Sequence, residues 1–167
     1  MARYAYSFTS VTPTATADTT NLVDSTYLMY LQGGNSTQRE NIAEIYMGGE
    51  AASSSSPTIM VLARDSTVAT GTVGGGRTAV LDASNTAPGT VPNVGNTAAT
   101  TKPQRSSTLH LLHLSFNAYG GIVRWVARPG EEISVVGNTA SLGEASLSAF
   151  TGGTPGAISG HCLYEVV

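Results

Sequence analysis

Charge is what this chain lacks most. Asp, Glu, Lys and Arg make up 11% of its 167 residues, against roughly a quarter in an ordinary soluble domain. One lysine and seven arginines are scattered without a basic cluster, and the formal net charge is −3. Phosphate backbones need concentrated positive charge, so nucleic acid is not an expected partner. Cys162 is the single cysteine, which excludes an intrachain disulfide. It falls in an alternating terminal run and reads as a small core hydrophobe. No run of about 18 apolar residues exists to cross a membrane as a helix. The opening MARYAYSFTS lacks the apolar segment of a signal peptide. Ser, Thr, Ala and Gly fill the places that charge leaves empty. A free monomer depends on surface charge for solubility, so this composition points to a surface covered by partners.

Strands and turns are what the chain does contain. The stretch Leu109 to Gly137, LHLLHLSFNAYGGIVRWVARPGEEISVVG, reads as strand, turn, strand, turn, strand, a meander around which the rest packs. Alternation places Val123, Trp125 and Ala127 on one face, and the only tryptophan marks that face as the core side. Upstream, Tyr4, Tyr6 and Phe8 alternate in a first strand, and Ser10 to Asp24 reads as an extended arm. Thr26 to Leu31 is apolar on both faces and reads as an interior strand. Asn41 to Met47 has helix-compatible spacing, but Gly48-Gly49 and the surrounding strands favour a strand there. Thr58 to Ala63 forms a buried strand ending at Arg64-Asp65. Downstream, Ala145, Leu147 and Ala149 share one face, and in the closing run Cys162, Tyr164 and Val166 oppose His161, Leu163 and Glu165. Eight or nine short strands with Gly/Pro turns predict an all-β fold: one antiparallel, jelly-roll-like β-sandwich domain over residues 1–167.

Between Asp65 and Arg105 the pattern dissolves into Gly, Thr, Ala and Asn. A loop this long in a compact domain calls for a role, and with few large apolar residues it cannot bury a core of its own. Its apolar and basic points, Arg77, Val80, Leu81, Val91, Val94, Lys102 and Arg105, are therefore the expected contacts with other subunits.

Residues able to do chemistry are present but not in working patterns. His110 and His113 are three apart, which on a regular strand puts them on opposite faces, so they are not expected to share a metal ion. His161 has no ligand partner in sequence. Glu131 and Glu132 are adjacent and diverge, reading as turn-flanking charges that pair with Arg124 or Arg128. No Gly-x-Ser-x-Gly elbow occurs, and Gly74-Gly75-Gly76-Arg77-Thr78 lacks the Lys-Ser/Thr of a phosphate loop. No enzyme activity, cofactor or metal is expected.

The segments TQRENIAEIYMGGEA, SPTIMVLARDST, TTKPQRS, LSFNAYGGIVRWVARPGEEISVVGN and SLSAFTGGTPGAISGHCLYEVV resemble small head proteins of tailed bacteriophages. Within that group they are similar to the cement, or decoration, proteins on the outside of the capsid. The resemblance covers most of residues 38–64 and 101–167. It implies a virion protein assembled in the host cytoplasm, a homo-oligomer, commonly a trimer, that binds the major capsid protein and cements its neighbours. It carries no catalytic signature. A second reading is a carbohydrate- or receptor-binding sandwich on a virion surface, for which Tyr27, Tyr30 or Tyr119 would supply exposed aromatics.

Overall fold

Period-two burial writes most of this architecture. A computed structural model describes residues 2–11, 27–51, 57–70, 77–81, 93–95, 100–137, 143–151 and 156–167, with only the backbone described for 2–11, 77–80 and 93–95. Among these residues there are eleven strands and no helix: β1 (Ala2–Val11), β2 (Tyr27–Gln32), β3 (Arg39–Gly49), β4 (Pro57–Thr67), β5 (Arg77–Val80), β6 (Asn93–Gly95), β7 (Gln104–Asn117), β8 (Ile122–Val126), β9 (Ile133–Val136), β10 (Ala145–Thr151) and β11 (Ile158–Val166). They form two antiparallel sheets. The first runs β5-β1-β11-β3-β8, with β9 also on β3, and the second runs β6-β2-β10-β4-β7.

The pairing is nested. β4 pairs β7, β3 pairs β8 and β9, β2 pairs β10, and β1 pairs β11. The chain is thus one long antiparallel ribbon, folded at the segment between β4 and β7 and then rolled. Rolling brings β11 against β3 and β10 against β4, which closes two facing sheets in the jelly-roll manner. The expected all-β sandwich is what forms, and Asn41–Met47 lies within strand β3.

The core fills the space between the sheets. Met29, Leu31, Met60, Leu62 and Leu147 come from one side, and Ile42, Ile45, Met47, Cys162 and Tyr164 from the other. Burial pushes the Cys162 thiol up to about 12, which keeps it an inert core side chain. Register sets Tyr4, Tyr6 and Phe8 opposite Tyr164, Cys162 and Gly160.

Three expectations need correction. The stretch from Leu109 to Gly137 is not a meander: β7 belongs to one sheet, while β8 and β9 belong to the other. β8 and β9 lie end to end along β3, against Glu44–Gly48 and Arg39–Ile42, and do not pair with each other. The corner between β7 and β8 is tied to the end of β3, where Gly49 N–H donates to Gly121 O at 2.9 Å and Ala51 N–H to Ala118 O at 2.9 Å. A Cβ on Gly49 would lie 2.0 Å from Ala118 O, so only glycine lets the corner sit there. Second, the irregular segment is shorter than Asp65 to Arg105. Asp65–Thr67 complete β4, Gln104–Arg105 open β7, and β5 and β6 add an edge strand to each sheet.

The third concerns His110 and His113, which lie on the same side. β7 pairs His110 with Ala63 and Leu112 with Leu62, leaving Leu111 as an extra residue. That bulge turns a spacing of three into an even step. His110 Nδ1 and His113 Nε2 then lie 2.7 Å apart, with ring centroids at 4.8 Å.

Candidate subunit interface

Every residue of β2 and of β10 is buried, on both faces. The inner face meets the core, so something must cover the outer face. Tyr27, Tyr30, Val61, Ala63, Phe150 and Ala69 form a second apolar cluster there. Lys102 Nζ sits 5.8 Å above the Tyr27 ring, and the Arg105 guanidinium 4.3 Å above the Phe150 ring. Residues flanking the fold point of the ribbon thus lie on the outside of the second sheet.

A buried polar network pins that cover. Ala69 N–H donates to both Glu144 carboxylate oxygens at 2.9 and 3.1 Å. The Asp65 and Glu144 carboxyls influence each other's charge, and Ser146 Oγ donates to Asp65 Oδ1 at 2.5 Å. Arg105 Nη1 donates to Ser148 Oγ at 2.9 Å, and the Arg105 charge favours ionised Asp65. Burial, then the neighbouring Glu144 charge, drives the Asp65 carboxyl well above its ordinary range. Burial also lifts Glu144 to about 7. Burial of both carboxyls, each beside the other, favours holding a proton here, while the Arg105 charge opposes it at Asp65.

The outer face of the first sheet is different. Glu44 accepts from Arg124 Nε and Nη2 at 3.1 and 3.0 Å, and His161 Nε2 lies 3.4 Å from the same carboxylate. Arg124 hydrogen bonding holds the Glu44 carboxyl below its ordinary range. Tyr46 stacks on His161 with centroids 5.5 Å apart. Beside them the Ala127–Glu132 excursion overhangs a shallow hollow of about 260 Å3, where Glu44, Glu132 and Glu165 surround Val126, Ala127 and Leu163. Pro129 and Gly130 take the second and third places of its turn, closed by Glu131 N–H donating to Arg128 O at 2.9 Å, with Gly130 at φ 83°. Glu132 accepts from Gly130 N–H at 3.1 Å. Of the two arginines expected to pair with Glu131 and Glu132, Arg124 pairs instead with Glu44, its diagonal neighbour on β3.

Among the expected contact residues, Arg105 is corrected most sharply: it is 2% exposed and serves its own subunit. Lys102 is half-buried over Tyr27. Leu81 is 56% exposed. Arg77 and Val80 fall in β5, in register with Ser7 and Tyr4, and Val94 falls in β6, opposite Leu31. Val91 and residues 12–24 of the expected arm lie outside the described residues. Tyr27 and Tyr30 are buried and cannot serve as a sugar platform, while Tyr119 is exposed. Burial raises the Tyr30 hydroxyl above its ordinary value.

Sequence reasoning missed the side of the sandwich formed by β7 and β8. Both are outermost in their sheets. Leu109, Leu111, Tyr119, Ile122 and Val126 are exposed along it. Leu112, Leu114, Val123 and Trp125 pack on the core yet stay partly exposed, so the tryptophan faces the core but sits at its margin. The signal was present in sequence: Leu, Ile and Val recur here without the charges that guard an open edge. Among the described residues no three His, Cys, Asp or Glu side chains cluster as metal ligands, and no helix is long and apolar enough to cross a membrane. Comparison with protein-family models, curated proteins and solved structures finds no match.

Proposed function

We propose that this chain is a structural protein of a tailed-phage virion, which oligomerises on the outside of the capsid and cements neighbouring major capsid subunits. The observation that carries this reading is a jelly roll with 11% charged residues that leaves nine large apolar side chains exposed among the described residues. A surface of that kind suits permanent contacts better than a freely diffusing monomer. The sequence resemblance over residues 38–64 and 101–167 supplies the setting, a phage head, and the expected three-fold assembly. Catalysis is not part of the proposal: the polar clusters act as internal ties or as solvated strand pairs.

The test is reconstitution on phage shells that lack the protein. Purified protein should bind them saturably and raise the temperature at which the shells break open. Shells that neither bind the protein nor gain heat resistance would remove the reading.

A further inference from the structure

The two histidines of β7 stand on the outer face of the second sheet. Register sets His113 opposite Val61 and His110 opposite Ala63, and both partners belong to the apolar cluster of that face. Residues directly opposite each other point to the same side of a sheet, so the pairing and the bulge at Leu111 agree on where the rings lie. His113 is exposed and His110 is half-buried. Their facing nitrogens, His110 Nδ1 and His113 Nε2, are 2.7 Å apart, while the ring centres are 4.8 Å apart and the planes tilt by 32°. The rings therefore meet nitrogen to nitrogen and not face to face.

That separation decides what fits between them. Two lone pairs repel at this distance, so either a proton or a metal ion must lie on the line where they converge. An imidazole nitrogen sits about 2.0–2.1 Å from a divalent first-row ion. Two such nitrogens at a right angle on one ion are then about 2.9 Å apart, and about 3.3 Å apart at a tetrahedral angle. The observed spacing needs only a slight opening to reach the first and a larger one to reach the second. Square arrangements of nitrogen suit Cu2+ and Ni2+, tetrahedral ones suit Zn2+, and Cu2+ binds most tightly in the series.

We infer that His110 and His113 form a two-imidazole site for a divalent transition ion, Cu2+ before others, with its remaining positions left to water. On binding, two waters leave the ion and two nitrogen–metal bonds form, with no change of oxidation state. The proton between the rings is not released. The histidine that carries it moves it to its other ring nitrogen, so that both facing nitrogens offer a lone pair. The bulge makes the site, since a regular strand would send the rings to opposite faces. Beyond it, Leu112–Asn117 runs in unbroken register with Leu62–Pro57, which holds the His113 backbone in place before any ion arrives. This inference is independent of the shell-protein reading.

Copper titration of the full chain near neutral pH, with Cu2+ supplied as its glycine complex, tests it by electron paramagnetic resonance. One saturable site per chain is expected, with hyperfine structure from two imidazole nitrogens. His113→Asn, at the exposed ring, should keep a cooperative melt and weaken binding by about tenfold or more. His110→Asn should do the same. His161→Asn, on the outer face of the other sheet beside Glu44, should leave binding unchanged. No saturable site, a spectrum without two imidazole nitrogens, wild-type affinity in folded His113→Asn, or equal loss in His161→Asn would each overturn the inference. Zn2+ that outcompetes Cu2+ would overturn the assignment of the ion. Shell binding is read separately: its failure would remove the function proposed above and leave this site standing.

Discussion

The two sheets of this sandwich share a core and differ on their outer faces. In the second sheet β2 and β10 are buried at every position, whereas in the first sheet β11 and β8 alternate between covered and open residues. Charged side chains therefore occur in two environments. Arg105 and the Asp65 and Glu144 carboxyls are buried under the chain's own cover, while Arg124 pairs with Glu44 in contact with solvent. Under cover, every unmet charge costs desolvation energy, so partners are obligatory and proton binding becomes favourable. In the open, water replaces any lost partner. The comparison separates residues that hold the fold from residues that only decorate it.

The largest expected effect lies under cover. Arg105→Ala removes the guanidinium beside Asp65 and the stack on Phe150, and should destabilise the protein by about 3–5 kcal/mol in urea melts. Arg105→Met, which keeps much of the volume, should lose less. A loss below about 1 kcal/mol for the alanine variant would mean that the cover contributes little to stability.

Proton binding gives the second test. The folded Glu144 carboxyl sits at about 7, above the ordinary 4.5, so between these values the folded chain binds protons that the unfolded chain releases. Its stabilisation is complete below the unfolded value and is lost as pH rises through 7. Asp65 shifts in the same direction, and so does Glu40, fully buried on β3 and lifted to about 7 by burial. Half-buried Glu44 has the opposite sign, with stabilisation lost only as pH falls below its ordinary range. Stability should thus fall by a few kcal/mol between about pH 5 and pH 8. Glu144→Gln should flatten that slope. A urea midpoint that rises over the interval would contradict the raised carboxyl values.

What the sequence made legible follows from the same contrast. Period two is a local property, so the strands on open faces, such as Ile158–Val166 and Ile122–Val126, were readable residue by residue. Sheet membership is not local. Nothing in LHLLHLSFNAYGGIVRWV says that the chain changes sheets at Asn117–Gly121, and the expected meander failed there. The histidine pair was readable in principle. Leucines at 109 and 111, then at 112 and 114, shift the apolar phase by one at Leu111-Leu112, which is how a bulge appears in sequence. Arg105, Asp65 and Glu144 were not readable, because charged residues are usually solvated and only the folded cover makes these three internal. The doubly apolar run from Thr26 to Leu31 was the one hint that the second sheet is covered on both sides.

The open side of the core sharpens the comparison at intermediate size. Trp125→Ala should cost about 2–3 kcal/mol, less than for a fully enclosed aromatic, because part of the ring already meets solvent. Glu40→Gln should act in the other direction. At pH 8 it removes a buried negative charge and should stabilise the fold by about 1–2 kcal/mol, with the gain shrinking towards pH 5.

The smallest expected effect is the most pointed. Arg124 makes two charged hydrogen bonds to Glu44, at 3.1 and 3.0 Å, whereas Arg105 donates to the neutral Ser148 hydroxyl at 2.9 Å. Counted as contacts, it should be the stronger tie. Its side chain is nevertheless 60% exposed. The attraction is therefore screened by water and salt, and ordering a long arginine side chain offsets much of what remains. Arg124→Ala should leave the melting temperature unchanged within error at low and at high salt. A melt alone would not show that the pair exists, so the Glu44 carboxyl is titrated by NMR in both proteins. Loss of Arg124 should return it upward towards its ordinary range, with His161 nearby leaving part of the depression in place. An Arg124→Ala loss comparable to that of Arg105→Ala would show that the first sheet's outer face is also covered, and the contrast between the two sheets would collapse.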